Sequence, residues 1–177
     1  METSTYPWYQ RVEDDSLKQG DLFEECPVFF PPEEIAETLS DAAEFRWEER
    51  DIIVMTQTCD LIGGREKVTD VLLCPVWKRS ELSEGHLSTA RGLEDARRGN
   101  LPGFHMLAEC TLDELRREVR IVDFRRIYSL PLGFMRRRAA TDGARLRLLP
   151  PYREHLSQAF ARFFMRVGLP VDIPPFR

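Results

Sequence analysis

Four chemically active side chains, Gln57-Thr58-Cys59-Asp60, follow directly on the apolar stretch 52–56. Amide, hydroxyl, thiol and carboxylate in succession could form a catalytic run. Metal-free cleavage of RNA needs a base for the 2′-hydroxyl, a donor for the leaving oxygen and cations for the phosphate. Asp60 or His105 fits the first role, and Arg50 or Arg79 the last. Gln57, Cys59, Asp60 and His105 are therefore the candidate catalytic residues. A Cys59 nucleophile would need His105 or His86 as base and an electropositive setting. Asp60 beside it pushes the thiol the other way. A plainer reading has Thr58 and Asp60 satisfying backbone donors at a tight strand end. Strand alternation then puts Gln57 and Cys59 on one exposed face, with Asp60 bonding backbone amides on the other.

Charge is divided unevenly along the chain. Residues 1–90 hold 8 basic and 20 acidic side chains, whereas residues 91–177 hold 17 and 10. Every basic residue of the second part is arginine, the side chain suited to bidentate phosphate contact. Arg136 and Arg138 are expected on one face of a late strand, Arg137 on the other. With Arg50 and Arg79 they are the candidate nucleic-acid contacts, to RNA or DNA. The competing expectation is that the acidic part neutralises the basic part within one fold.

The four cysteines, Cys26, Cys59, Cys74 and Cys110, form no C-x-x-C pair and stand at no zinc-finger spacing from a histidine. No metal and no cofactor is expected, and Cys26 and Cys74 read as buried apolar side chains. No apolar run approaches the ~20 residues of a membrane span. The N-terminal residues lack the features of a secretory signal, so a cytoplasmic location is the expectation.

The elements that would position these groups are mostly strands. Residues 1–19 read as an arm across the body. Strands are expected at 22–30, 52–56, 68–77, 104–109, 119–124 and 127–132. A last pair, 134–139 and 145–149, would turn at Thr141-Asp142-Gly143. Residues 33–47 have the spacing of a helix ending at Arg46 and Trp47, and a second helix is expected over 87–98. The clearest helix starts after Pro150-Pro151. It carries Tyr152, Leu156, Phe160, Phe163, Phe164 and Val167 on one face, with Gly168 and Pro170 to stop it. Phe160, Phe163 and Phe164 are expected to be buried by the chain itself or by a symmetric partner.

This α+β, mainly β pattern suggests a small β-barrel of SH3-like type. Gly20-Asp21-Leu22-Phe23 resembles the opening of the MazF/PemK toxin family. Ile52-Ile53-Val54-Met55-Thr56 resembles its central strand, and Val71-Leu72-Leu73-Cys74-Pro75-Val76 a later one. The segment 120–130 resembles its late Asp-containing segment. The resemblance covers roughly residues 20–135. It implies a PemK-type barrel over 20–149 with helical insertions, flanked by the 1–19 arm and a C-terminal amphipathic helix and tail at 150–177. It also implies a homodimer, an antitoxin as protein partner and metal-independent endoribonuclease activity. The family's catalytic Arg-Pro and Thr/Ser positions do not transfer. Arg46-Trp47-Glu48-Glu49-Arg50 precedes Ile52, and Trp77 follows Val76.

Two functions follow. One is a toxin-type nucleic-acid-binding protein. The other is a non-catalytic interaction module within a bacterial defence or regulatory complex, docking through the acidic insertion and the aromatic helix.

Overall fold

A computed structural model describes residues 6–31 and 45–165. Its centre is a six-stranded antiparallel sheet. Strands β2 (Leu22–Phe30), β3 (Arg46–Val54), β4 (Asp70–Lys78), β6 (Arg120–Asp123) and β5 (Phe104–Leu107) lie in that order, and β7 (Tyr128–Pro131) pairs with the first half of β4. A separate two-stranded sheet joins β1 (Tyr9–Val12) to β8 (Arg145–Leu148). Residues 9–12 of the expected arm are therefore strand-paired, and Leu17 and Gln19 behind them are buried.

The β2–β5 sheet is open, which corrects the expectation of a closed barrel. The cause lies in residues 132–141. Expected to supply a strand, they form helix α2 (Leu132–Thr141). Its buried residues are Leu132, Met135 and Ala139, a spacing of three and four that only a helix brings to one face. Leu, Met, Arg and Ala are also strong helix formers. With no strand there, β8 pairs with β1 instead of closing the sheet.

Both faces of β3 are covered, as its unbroken apolar run requires. Ile53 joins one core with Leu22, Val122, Phe124, Leu146 and Leu148. Ile52 and Val54 join another with Phe23, Val71, Leu73 and the apolar face of α2. Cys26 and Cys74 are buried within these layers, and burial pushes their thiols up to about 11 and about 12. Helix α1 (Ala90–Arg97) is capped by Thr89, whose Oγ1 accepts from the Gly92 amide at 3.0 Å.

Gly20 sits where only glycine serves. Its φ is +85°, and a Cβ there would stand 3.0 Å from that of Leu148. This frees Asp21 to enter the core, where Arg145 and Arg147 on the second face of β8 both bind it.

Helix α3 (Tyr152–Phe164) covers the first core through Leu156, with Phe160 and Phe163 packed beside it. Phe164 is 52% exposed, so the chain itself does not bury all three phenylalanines. Its ring meets those of Phe160 and Phe163 at 5.0 and 4.9 Å between centroids. Residues 33–44 of the first expected helix, and Val167, Gly168 and Pro170, fall outside the described residues. Arg46 and Trp47 belong to β3, where β2 pairing overrides their helical spacing.

Candidate nucleic-acid interface

Past Val54 the chain leaves the sheet under tight local control. Met55 donates its amide to the Leu72 carbonyl at 2.8 Å, and Thr56 Oγ1 accepts from the Leu72 amide at 2.7 Å. A 3₁₀ turn, Thr58–Asp60, follows. Thr58 Oγ1 accepts from the Gln19 amide at 3.2 Å, and buried Gln19 returns its Nε2 to the Met55 carbonyl at 2.9 Å. The two threonines and Gln19 thus hold the end of β3 in place.

The run forms a 3₁₀ turn and not a strand end, yet its exposure alternates as expected. Gln57 and Cys59 are exposed. Asp60 does not bond backbone amides through its carboxylate. Its Oδ1 faces Lys67 Nζ at 3.1 Å and accepts from the Cys59 thiol at 3.5 Å. Lys67 also donates its amide to the Asp60 carbonyl at 3.1 Å, closing the loop between them.

Helix α2 clamps this loop from the other side. Arg136 donates to the Leu61 carbonyl at 3.1 Å and pairs with Glu66 at 2.6 Å. Hydrogen bonds from its own amide, from Arg136 and from the Gly64 amide push the Glu66 carboxyl down to about 2. Between the loop, the segment 15–18 and α2 runs a groove of about 600 Å³. Lys18, Thr58, Ile62, Gly63, Arg136 and Arg137 line it, with Asp15 as its only acid. Lys18 and Arg137 form no ion pair among the described residues, whereas Arg136 is committed to Glu66. Ile62 is 50% exposed and offers an apolar surface beside the cations.

The other candidates lie elsewhere. Arg50 pairs with Glu48 and stands over the Trp77 ring at 5.4 Å. Arg79 is exposed at the start of a separate 3₁₀ turn. Arg138 pairs with Asp142 at 2.8 Å and lines a different cleft. His105 belongs to β5, where it lines a third cleft with His155, Arg162, Arg97 and Arg98. Of the predicted residues, the structure brings only Arg136 to the 57–60 turn. Lys18 and Lys67 were missed, since one lies before the first motif and the other in a turn. Arg137 was assigned to the far face of a strand. Read at helical period, Arg136, Arg137 and Ala140 would have fallen together.

Most late arginines meet acids within the chain. Arg97 and Arg98 hold Glu94, Arg117 holds Glu24, Arg125 holds Asp123, and Arg145 and Arg147 hold Asp21. The basic part is largely neutralised within the fold. Among the described residues Arg91, Arg126, Arg137 and Arg162 of this part form no ion pair, and of these Arg137 lines the groove, together with Lys18.

The imidazole of His105 is pushed down to about 4, chiefly by burial and then by nearby His155 and Arg162. Its Nε2 is buried with no hydrogen-bond partner. A buried imidazole that resists its proton links folding to pH. Unfolded chains take up that proton near 6.5 and the native state only near 4, so stability should fall as pH drops through this window. His105→Gln should flatten that part of the profile, as read by urea midpoints at successive pH values.

Among the described residues, no group of three His, Cys, Asp or Glu side chains could hold a metal ion, and no helix is long and apolar enough to cross a membrane. Comparisons with protein-family models, curated proteins and solved structures found no match to this chain.

Proposed function

We propose that this chain binds single-stranded nucleic acid, RNA or DNA, along the groove between residues 15–18, the Thr58–Asp60 turn and α2. The observation that carries this reading is the pair of uncommitted cations, Lys18 and Arg137, flanking a groove with an exposed apolar residue and a glycine. Cations beside apolar surface suit a backbone with accessible bases. The resemblance to MazF/PemK toxins points to the same class of ligand. The turn Gln57–Asp60 shapes the groove wall. Of the two candidate bases, His105 lines another cleft and Asp60 is paired with Lys67, so the reading is binding without turnover.

Fluorescence anisotropy with short labelled RNA and DNA tests it. Arg137→Glu and Lys18→Glu should each weaken binding roughly tenfold, as expected for loss plus reversal of a phosphate contact. Cys59→Ser and Gln57→Ala should leave affinity unchanged. Growth arrest on expression that Cys59→Ser abolishes would instead assign endoribonuclease turnover to the turn.

A second reading rests on the β2–β3 hairpin. Phe29 and Trp47 face each other across its register and are 51% and 56% exposed. Such an aromatic pair suits a protein partner, as in a non-catalytic component of a larger complex. Failure of every oligonucleotide to bind would favour it.

A further inference from the structure

A second cleft, bounded by β2, β6, α2 and β8, lies apart from the groove and measures about 460 Å³. That is the size of a small-molecule site. Its charges are layered by depth. Arg120 and Arg145 lie deepest, with side chains 1% and 3% exposed. Arg117 and Arg138 are part-buried, and Glu25 and Glu49 stand exposed at the rim.

Three of the four arginines are committed. Arg145 binds Asp21 and Arg138 binds Asp142. Arg117 grips Glu24 through both Nε and Nη2, the latter at 2.9 Å. Arg120 reaches the same Glu24 carboxylate only at 3.6 Å, and its Nε and Nη2 have no hydrogen-bond partner. Its guanidinium carbon stands 5.9 Å from the Tyr9 ring centroid, and its charge acts on the Tyr9 hydroxyl. Buried guanidinium groups are ordinarily paired, and a bare one is costly. Nε and Nη2 form the side edge of the group, the edge that receives a carboxylate bidentately. Arg117 uses that same edge on Glu24.

The backbone is unusual at the same place. β2 shifts register between Phe23 and Cys26, and Glu25 adopts φ 49°. Such a conformation is uncommon outside glycine and concentrates at functional sites. The bulge places Glu24 against Arg117 and leaves Glu25 at the rim.

Four arginines and four acids line the cleft, so nothing in its total charge draws a simple anion. What it offers is positive depth and a negative rim. We propose that this cleft binds a small zwitterion of the α-amino-acid class, its carboxylate on Arg120 and its ammonium on Glu25 and Glu49.

Thermal unfolding of the full chain with each standard free amino acid at millimolar concentration tests this. A ligand that binds only the native state raises the midpoint saturably. At least one amino acid should do so. Its carboxamide should have no effect, and its N-acetyl derivative should bind several-fold more weakly. Glu49→Gln, an exposed change, should weaken binding roughly threefold, the size of a part-exposed ion pair. Arg120→Met should fold and lose the response. If that variant fails to fold, the carboxamide and N-acetyl comparisons on the unmodified chain decide. No response to any amino acid, or equal responses to acid and carboxamide, would overturn the proposal. Neither result touches the nucleic-acid groove.

Discussion

Asp21→Ala is expected to be the most damaging single change outside the apolar core. Asp21 is fully buried and holds two arginines that are nearly so. Arg147 donates Nη2 to Oδ2 at 2.9 Å, and its Nε meets Oδ1. Arg145 donates to Oδ2 at 3.2 Å, and the Lys18 amide caps the same oxygen at 3.1 Å. Removing the carboxylate leaves two guanidinium groups inside the fold with carbonyl and hydroxyl oxygens and, as their nearest remaining charge, the exposed Asp14 carboxylate at 3.5 and 3.9 Å. Breaking a buried pair this way costs about 3–5 kcal/mol, a large part of the stability of a domain this size. Urea unfolding checks it. An unchanged midpoint would mean that water, not Asp21, compensates Arg145 and Arg147.

Phe124→Ala should cost a similar amount by another mechanism. The ring is fully buried and is the point where α3 meets the sheet. Phe160 packs edge-on against it at 5.4 Å and Phe163 lies at 6.3 Å, both between ring centroids. Truncation leaves a cavity lined by rings held on separate elements, which cannot all collapse inward. A loss of about 3–5 kcal/mol follows. Phe164→Ala is the matched control. At 52% exposure it should cost less than about 1 kcal/mol. Equal losses for the two would show that α3 seats differently from its packing in this structure.

The strands were legible wherever β-branched runs met clear punctuation. Residues 52–54 and 71–77 fall within the strands expected at 52–56 and 68–77, because both runs are unbroken by polar residues, as a strand covered on both faces requires. Gly20-Asp21 was visible as a strand opening, but its role was not. Only the fold shows that Gly20 clears Leu148 and lets Asp21 reach Arg145 and Arg147. The failure at 134–139 had one cause. Three successive arginines mask apolar periodicity, and the deciding residues, Leu132, Met135 and Ala139, span a longer window than the one read. As a strand the segment would close the barrel and put Arg136 and Arg137 on opposite faces; as a helix it does neither.

The site was less legible than the fold. Gln57 to Asp60 drew notice through density of polar groups, yet Thr58 and Asp60 spend theirs on Gln19 and Lys67. The uncommitted cations come from segments far apart in the chain, and pairing partners cannot be read from spacing. Arg120 shows the same limit. Its sequence context is an ordinary strand, and only burial without partners marks it.

The proposed function turns on whether Lys18 and Arg137 meet phosphates. The most direct measurement is the salt dependence of oligonucleotide affinity for the unmodified chain, Lys18→Gln and Arg137→Gln. Each phosphate contact on a single strand contributes about 0.7 to the slope of log affinity against log salt. The slope should therefore become shallower by about 0.7 in each variant. Binding whose slope is the same in all three proteins would place the nucleic acid elsewhere and contradict the account.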